Sequence, residues 1–263
     1  MVGQKRDTGL DFIICGLEHS GTTLASDLFR QVRGCDSGFE CGVLLCKTPR
    51  DFPAKQPFFQ NMIKGWKLSE QALKAACDTD SVAEFYEAIY RQAGLFQQKH
   101  PEIRFDKTPR YIIDLATITE MFETPIIAMI KDPRAIAWSD FRRSKREAND
   151  IEAWYAEWMP SKKGYMELAY QGYLHAWQNK QCLVIRLEDL CLNTRHTLEQ
   201  MFEHVGLQPS LEYLNIRDSR YPHTHGKSIS ISTAVQHLAL LPQSIQERVR
   251  KDFGHMDRWF YAF

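Results

Sequence analysis

A short apolar segment followed by a glycine loop and a helical pattern constrains the fold of this chain most strongly. Phe12–Cys15 is a run of four apolar residues, the loop after it carries Gly16 and Gly21, and helical spacing of apolar residues begins at Thr22. This order indicates a buried strand, a tight turn and a helix. The two glycines let the backbone turn its N–H groups inward, and the helix N-terminus adds the positive end of a dipole. The segment therefore predicts an α/β fold with an anion-binding loop.

The residue after the second glycine limits which anion the loop binds. The spacing of Gly16 and Gly21 is that of a Walker A loop, but Thr22 stands where an ATP-binding loop has its lysine. That lysine reaches the β- and γ-phosphates, so a loop without it suits a shorter phosphoanhydride better than a triphosphate. The hydroxyl groups of Ser20, Thr22 and Thr23 add donors. The loop thus predicts phosphate binding and disfavours a kinase or nucleotide hydrolase.

The strand and helix pattern repeats along the chain and predicts the fold class. Apolar runs typical of buried strands recur at 103–105, 125–130 and 182–187. Helical patterns follow the four predicted strands at 22–32, 111–122, 134–144 and 194–205. This alternation is typical of a parallel sheet covered on both faces. We expect a three-layer α/β sandwich with a central parallel sheet, a P-loop-like loop and helical insertions at about 46–100 and 151–179, in a single domain over 1–263.

Composition excludes several classes of partner. The 33 Lys and Arg residues balance the 33 Asp and Glu residues, so no net field draws the chain to nucleic acid or to an acidic membrane. No stretch approaches the ~18 apolar residues of a membrane helix, and Glu18 and His19 break the first apolar run before it resembles a signal peptide. The seven cysteines form no Cys-x-x-Cys pair, which favours free thiols and a cytoplasmic location. We expect no nucleic-acid partner, no membrane insertion and no metal.

Three motifs in order resemble those of the sulfotransferases that use 3′-phosphoadenosine-5′-phosphosulfate (PAPS), especially the tyrosylprotein and carbohydrate branch. The motifs are His19-Ser20-Gly21-Thr22-Thr23-Leu24, Asp106-Lys107-Thr108-Pro109-Arg110-Tyr111 and the segment from Lys131 to Ser139. The resemblance implies that the first is the 5′-phosphosulfate loop and the third the 3′-phosphate segment. Arg186–Leu190 is similar to a later Tyr-Glu-Asp-Leu motif, with Leu187 in place of the tyrosine.

Cations and hydroxyls near the strand ends are the candidate donor-binding groups. Lys131 ends a predicted strand and Ser139 lies on the next helix, so both can converge on a dianionic 3′-phosphate. Arg134, one step into that helix, is a candidate second cation. Lys227 lies in a basic run with turn signals, which we interpret as a loop that covers the nucleotide and contacts a phosphate.

Two further residues are candidates for the transfer chemistry. Lys107 ends a predicted strand, where its charge can stabilise the leaving oxygen as the sulfuryl group departs. Glu40, in a predicted second strand and turn at 36–42, follows the loop at about the distance of the base glutamate in the tyrosylprotein branch. A hydroxyl or amine acceptor gains from such a base, and Asp36 is the rival carboxylate.

His19 is a departure from the related loops, which have arginine or lysine there. The imidazole can bind the donor as a cation or act in proton transfer. We therefore expect in-line sulfuryl transfer from PAPS to a small or amphiphilic acceptor, leaving adenosine-3′,5′-bisphosphate (PAP). The alternatives are a P-loop-type nucleotide kinase or hydrolase and a non-catalytic nucleotide-binding protein, the latter favoured by the departures at His19 and Leu187.

Overall fold

Five parallel strands form the central sheet of the chain. The computed structural model describes residues 5–217, 219 and 229–259. The strands are β1 Phe12–Gly16, β2 Cys35–Asp36, β3 Ile103–Lys107, β4 Ile126–Ile130 and β5 Cys182–Arg186. Their order across the sheet is β2-β3-β1-β4-β5, and each pairing is parallel. β1 therefore lies at the centre, with β3 and β4 as its neighbours.

Helices cover the sheet and fill the connections between strands. The α-helices, in chain order, are α1 Thr22–Phe29, α2 Phe58–Gly65, α3 Glu70–Ala76, α4 Val82–Gln92, α5 Leu115–Met121, α6 Pro133–Ser144, α7 Ile151–Gln178, α8 Leu187–Leu192, α9 Thr194–His204, α10 Ile231–Leu240 and α11 Gln243–Phe253. Short 3₁₀ helices lie at Val43–Leu45, Pro49–Ala54, Gly94–Phe96, Pro109–Asp114, Ala148–Asp150, Leu211–Leu214 and Asp257–Trp259. No helix within the described ranges has both the length and the apolar character that crossing a membrane requires.

The two faces of the sheet belong to two apolar clusters, which confirms the predicted three-layer sandwich. Side chains alternate between faces along a strand. Ile13 and Cys15 of β1 accordingly join the cluster that contains α4, α7 and α11, whereas Phe12 and Ile14 join the cluster that contains α1 and α9. Full burial of side chains of this size stabilises the fold by about 1.5–3 kcal/mol each. The sheet is thus anchored on both sides, and its loops are held at a rigid edge.

The aromatic residues of the second insertion are mainly part of the core, as predicted. The insertion is the single 28-residue helix α7, and Trp154, Tyr155, Trp158 and Tyr173 on it are buried. Trp154 and Trp158 stack with ring centroids 5.3 Å apart. Aromatic stacking of this kind adds to the burial of the rings. The helix therefore stiffens the side of the sheet on which the β1 loop lies.

Two predicted elements differ in detail from the structure. The helix expected at 111–122 is a 3₁₀ turn at Pro109–Asp114 followed by α5, because Tyr111 turns inward to donate a 2.6 Å hydrogen bond to Asp106. The second strand ends at Asp36 instead of continuing toward Gly42. The Asp36 carboxylate accepts the Ser37 N–H at 2.8 Å, which replaces a ladder hydrogen bond at that point.

Candidate active site

Three loops meet at the carboxyl edge of the sheet. The chain leaves β1 in the direction of β2 and leaves β4 in the direction of β5, so the connections diverge between β1 and β4. A divergence of this kind opens a crevice in which α/β proteins bind their ligands. Neighbouring strands lie about 4.8 Å apart, so the ends of β3 and β4 flank the β1 loop within about 10 Å of each other. Most of the predicted site residues lie on these loops or at the start of the helices after them, whereas Glu40 lies on the loop after β2 and Ser139 within α6.

Three residues of the loop after β1 have a backbone conformation that favours glycine. Gly16, His19 and Gly21 all have positive φ, at 146°, 70° and 98°. A Cβ on Gly21 would lie 2.8 Å from Cδ1 of Leu187, so the leucine side chain would have to move to admit one. Gly21 also begins α1 without a side-chain cap, so the N–H groups of the first helical turn stay open for a ligand. The loop has the features of an anion site.

The hydroxyl groups of this loop occupy different environments. Ser20 is fully buried, and its Oγ lies 2.7 Å from the point that a Cβ on Gly16 would occupy. Its side chain therefore packs against the start of the loop. Thr22 is also buried, whereas Thr23 and Leu24 are half-buried. Thr23 is thus the more open of the two threonine hydroxyls beside the helix start.

A tyrosine that the sequence did not single out for function holds the loop in place. The buried phenol of Tyr173 on α7 accepts the Leu17 N–H at 2.8 Å and donates to the Met129 carbonyl at 2.6 Å. Burial raises the pKa of Tyr173, so the phenol stays a donor at neutral pH. One side chain thus ties the β1 loop to the end of β4. Its position on the buried face of an aromatic-rich helix explains why its role was not visible in the sequence.

His19 lies within reach of an acidic partner. Its Nε2 is 3.3 Å from Oδ1 of Asp140 on α6. Asp140 also accepts from Trp158 Nε1 at 2.8 Å and pairs with Lys162 at 3.1 Å. Burial lowers the pKa of His19; Asp140 opposes this, while Arg143, Lys162 and Lys131 lower it further. His19 is therefore mainly neutral at pH 7 in this state and offers one N–H and one lone pair.

Lys131 and Ser139 lie together in the wall of a cavity of about 500 Å³. Arg142 and Arg143, on the same helix α6, line it as well. Burial lowers the pKa of Lys131, and Glu188 opposes that shift. Three cationic side chains and a hydroxyl therefore converge on one space. The sequence identified the first pair but not the two arginines of α6.

Arg134 does not join that group of cations, contrary to the suggestion from its position. Its guanidinium is buried against Asp132, with Nε donating to Oδ1 at 2.9 Å. The same carboxylate accepts the Arg134 N–H at 2.7 Å and so caps α6. Glu188 on α8 in turn accepts the Asp132 N–H at 3.0 Å. These contacts fix the turn between β4 and α6, and with it the backbone of Lys131.

Lys107 and Glu40 form an ion pair at the end of β3. Nζ of Lys107 lies 2.8 Å from Oε1 of Glu40, and the two side chains are 2% and 26% exposed. The ammonium also lies 5.7 Å from the centre of the Phe39 ring. A buried cation and a partly accessible carboxylate are thus in contact beside the β1 loop. This geometry suits a cation that stabilises a leaving oxygen and a base that meets an acceptor.

The rival carboxylate Asp36 is used elsewhere. Its Oδ1 accepts from Arg30 Nε at 3.0 Å, and Arg30 also pairs with Asp27 at 2.7 Å. The Arg30 side chain is buried between α1 and β2. Asp36 therefore stabilises the join between these elements, whereas Glu40 faces Lys107.

A buried carboxylate positions both catalytic candidates. Asp106 precedes Lys107 in β3 and accepts hydrogen bonds from Tyr86 at 2.6 Å, Tyr111 at 2.6 Å and Thr108 at 2.9 Å. It also accepts the Cys41 N–H at 3.4 Å, next to Glu40. Burial raises the pKa of Asp106, and the three hydroxyl donors oppose the shift. Because one carboxylate binds both the strand end and the 37–42 loop, it holds Lys107 and Glu40 in register.

The predicted residues therefore fall into two groups. One group contains the β1 loop, with Lys131 and Ser139 across the crevice; the other is the Lys107–Glu40 pair on the β3 side. His19 belongs to the loop and contacts α6 through Asp140. Lys227 lies outside the described residues.

Comparison with known proteins gives a family and a fold. The sequence model of the Sulfotransferase family matches residues 11–210. The sulfotransferase domain of the Synechococcus PCC 7002 olefin synthase superposes with a TM-score of 0.63 at 18% identity, covering 99% of this chain and 97% of that domain. The sulfotransferase domain of the curacin biosynthetic pathway gives 0.58 at 14% identity, with 96% and 99% covered.

A vertebrate enzyme shares the same fold. Mouse sulfotransferase SULT7A1, solved in complex with PAP, gives a TM-score of 0.53 at 9% identity, covering 98% of this chain and 88% of that one. No curated protein sequence matches the chain.

Proposed function

This chain belongs to the sulfotransferase family, and from that premise we propose that it transfers a sulfuryl group from PAPS to a hydroxyl or amine acceptor. The observation that carries the proposal furthest is the Lys107–Glu40 pair, 2.8 Å apart beside an uncapped glycine loop. The pair supplies a cation and a base at one point, and the loop supplies anion-binding amides. In-line transfer places the acceptor and the leaving oxygen on opposite sides of the sulfur atom, and the pair lies beside this line.

The donor fits the β1–β4 crevice. The open N–H groups at the start of α1 suit the 5′-phosphosulfate, with His19 and Thr23 as neighbouring side-chain donors. Lys131 and Ser139 suit the 3′-phosphate, and Arg142 and Arg143 add charge to the same cavity. The mouse enzyme of the same fold was solved with PAP, the product that this reaction would release. A shorter phosphoanhydride also agrees with Thr22 in place of the Walker lysine.

The transfer step uses the Lys107–Glu40 pair. The acceptor oxygen or nitrogen forms a bond to sulfur as the bond between sulfur and the bridging phosphate oxygen breaks. The proton of the acceptor passes to the Glu40 carboxylate. The negative charge that develops on the departing oxygen of PAP is stabilised by the ammonium of Lys107. Asp106 keeps the pair aligned through its bonds to Cys41 N–H and to Thr108.

We expect a small or amphiphilic acceptor. Phe39 and Tyr165, both partly buried, offer aromatic surface on this side of the site. The cation of Arg110 lies 5.4 Å from the centre of the Tyr165 ring, so a polar group can be bound next to an apolar one. The seven cysteines are free thiols, which supports the expectation of a reducing compartment such as the cytoplasm.

Ligand-dependent unfolding tests the donor. PAP at saturating concentration should stabilise the protein by about 2–4 kcal/mol, whereas ATP with magnesium should stabilise it much less. Adenosine-5′-monophosphate (AMP), which lacks the 3′-phosphate, is the matched control. Turnover of labelled PAPS against pools of hydroxyl and amine compounds then identifies the acceptor. A preference for magnesium-ATP would refute the proposal in favour of a kinase or hydrolase.

A further inference from the structure

His19 is the residue of the β1 loop whose charge depends on the pH near neutrality. It lies between Gly16 and Gly21 and comes three positions before Thr22, where α1 begins with open N–H groups. A lysine or arginine at such a place would be charged at any physiological pH, whereas a histidine is charged only after it has taken up a proton. The contacts of the ring therefore decide how this loop holds an anion.

The two ring nitrogens of His19 have different surroundings. Nε2 lies 3.3 Å from Oδ1 of Asp140 on α6, a carboxylate whose side chain is 9% exposed. Nδ1 has no hydrogen-bond partner among the residues that the structure describes, and it is not buried as an unpaired atom would be in the core. The side chain of His19 is 26% exposed. One nitrogen thus faces a carboxylate, and the other is open to solvent or to a ligand.

Asp140 is held in place by two further donors. Its Oδ2 accepts from Trp158 Nε1 at 2.8 Å and pairs with Nζ of Lys162 at 3.1 Å, and both partners lie on α7. Because an ionised carboxylate only accepts hydrogen bonds, the hydrogen of a neutral His19 ring belongs on Nε2. Nδ1 then carries a lone pair, which cannot bind the oxygen of an anion. Only the protonated ring can contact Asp140 and donate to an anion at the same time.

The groups around His19 keep the ring mainly neutral until an anion is bound. Burial has the largest effect on the ring and lowers its pKa. Charged groups on α6, on α7 and at the end of β4 also act on it: Asp140, which raises the pKa, and Arg143, Lys162 and Lys131, which lower it. Glu18, the preceding residue, acts on Tyr165 of α7. An anion in the loop would add a nearby opposite charge, which favours the protonated form of the imidazole.

We propose that donor binding is coupled to the uptake of one proton by His19. The proton comes from the solvent and is added to Nδ1, which then donates a charge-assisted hydrogen bond to an oxygen of the 5′-phosphosulfate. Nε2 keeps its hydrogen toward Asp140, which is the positioning residue, and no covalent bond of the donor changes. This inference rests on the proposed function, since it takes PAPS as the donor. It makes donor affinity depend on pH near neutrality.

Calorimetry of PAP binding in buffers of different ionisation enthalpy counts the protons that are taken up. PAP is the probe because its 5′-phosphate would lie in the same loop. Its phosphates themselves titrate near pH 6, so the quantity compared is the difference between wild type and His19→Lys. At pH 7 the wild type should take up about 0.5–1 proton more than His19→Lys. Between pH 8.5 and 6.5 its Kd should fall about 5- to 50-fold relative to that of the variant.

Two variants and one spectrum serve as controls. His196→Gln, at an exposed position of α9, should take up as many protons as the wild type. Asp140→Asn removes the carboxylate that raises the pKa of His19, so the uptake should move to lower pH. The ring C–H resonance of His19 in the wild type, identified by its absence from His19→Lys, does not depend on the fold of a variant. Saturating PAP at pH 7 should move this resonance to the position of a protonated imidazole.

The outcomes separate this inference from the proposed function. A wild type that does not bind PAP contradicts the proposed function itself. PAP binding with the same proton uptake and the same pH dependence in wild type and His19→Lys overturns the coupling alone. A His19 resonance that PAP does not move overturns it as well. Unchanged uptake in Asp140→Asn would remove Asp140 as the positioning residue.

Discussion

Replacing Glu40 with glutamine should separate catalysis from folding. The carboxylate is a proposed base and also the partner of a buried ammonium, Lys107, which is 2% exposed. Removing one partner of a fully buried pair costs about 3–5 kcal/mol. Glu40 is 26% exposed, and glutamine keeps an oxygen for Nζ, so Glu40→Gln should lose about 1–3 kcal/mol of unfolding free energy. The loss of a general base should lower turnover by about 10²- to 10⁴-fold.

The chain contains a closely matched control. Asp36 also pairs with a buried cation, Arg30, at 3.0 Å, and the two side chains are 31% and 3% exposed. Arg30 keeps its pair with Asp27 at 2.7 Å, so Asp36→Asn should lose no more stability than Glu40→Gln. Because Asp36 faces α1 and not the β3 side of the site, turnover should stay within a few-fold of wild type.

Three measurements on the same proteins decide the question. Urea unfolding gives the stability, calorimetry gives the affinity for PAP, and labelled PAPS gives turnover below the unfolding transition. Glu40→Gln should be nearly inactive with PAP affinity within a few-fold of wild type, since the carboxylate serves the acceptor. Equal activity losses in Glu40→Gln and Asp36→Asn would refute the assignment of the base. Retained activity in Glu40→Gln with loss in Asp36→Asn would make Asp36 the base instead.

Three other perturbations have defined outcomes. Lys131→Ala should weaken PAP binding by about 1.5–3 kcal/mol in calorimetry and abolish the preference over AMP, because a charge-assisted bond is lost. Gly21→Ala should cost about 1–3 kcal/mol in urea unfolding, since φ is 98° and the new Cβ would lie 2.8 Å from Leu187 Cδ1. Burial lowers the pKa of His237 from 6.5 to about 4, so the unfolded chain takes up this proton at a higher pH than the folded protein does. The free energy of unfolding is therefore unaffected by this group above pH 6.5 and decreases as the pH falls toward 4. Between pH 7 and 5, wild type should lose about 2 kcal/mol more than His237→Gln.

Each of these has its own control. Lys163→Ala removes an exposed lysine of α7 and should leave PAP binding unchanged; equal effects of the two lysine variants would place Lys131 away from the phosphate. Adding Leu187→Ala to Gly21→Ala removes the contact but not the backbone strain, so only part of the loss should return. The same pH slope in wild type and His237→Gln would mean that the imidazole is not buried uncharged.

The sequence predicted the layered fold because its signals are local. Apolar runs at 103–105 and 182–187 indicate buried strands, and each has a helical pattern next to it. Such strands and helices can be predicted without knowing which other elements they contact. The β1 loop was equally visible, since glycine spacing decides which backbone angles the chain can adopt. Lys131 and Ser139 could be paired because they are close in sequence and belong to one strand and helix.

Contacts between distant segments were decided only by the tertiary structure. Lys107 and Glu40 are 67 positions apart, and their 2.8 Å contact depends on how the 37–42 loop folds back on β3. Arg134 is paired with Asp132 in the folded chain. Tyr173 of α7 connects the β1 loop to β4 through its hydrogen bonds to Leu17 and Met129. Pairing over such separations depends on packing and buried hydrogen bonds, which no local pattern encodes.

In the cavity beside Lys131, one wall could be predicted from the sequence and the other is known only from the tertiary structure. Its first wall follows from the strand-to-helix motif, so the sequence alone predicts a phosphate-sized anion there. Its second wall, with His237, comes from a helix about 100 positions later that was not among the elements predicted from the sequence. Burial between α6 and α10 is what removes that imidazole from water, and burial is a property of the folded chain as a whole.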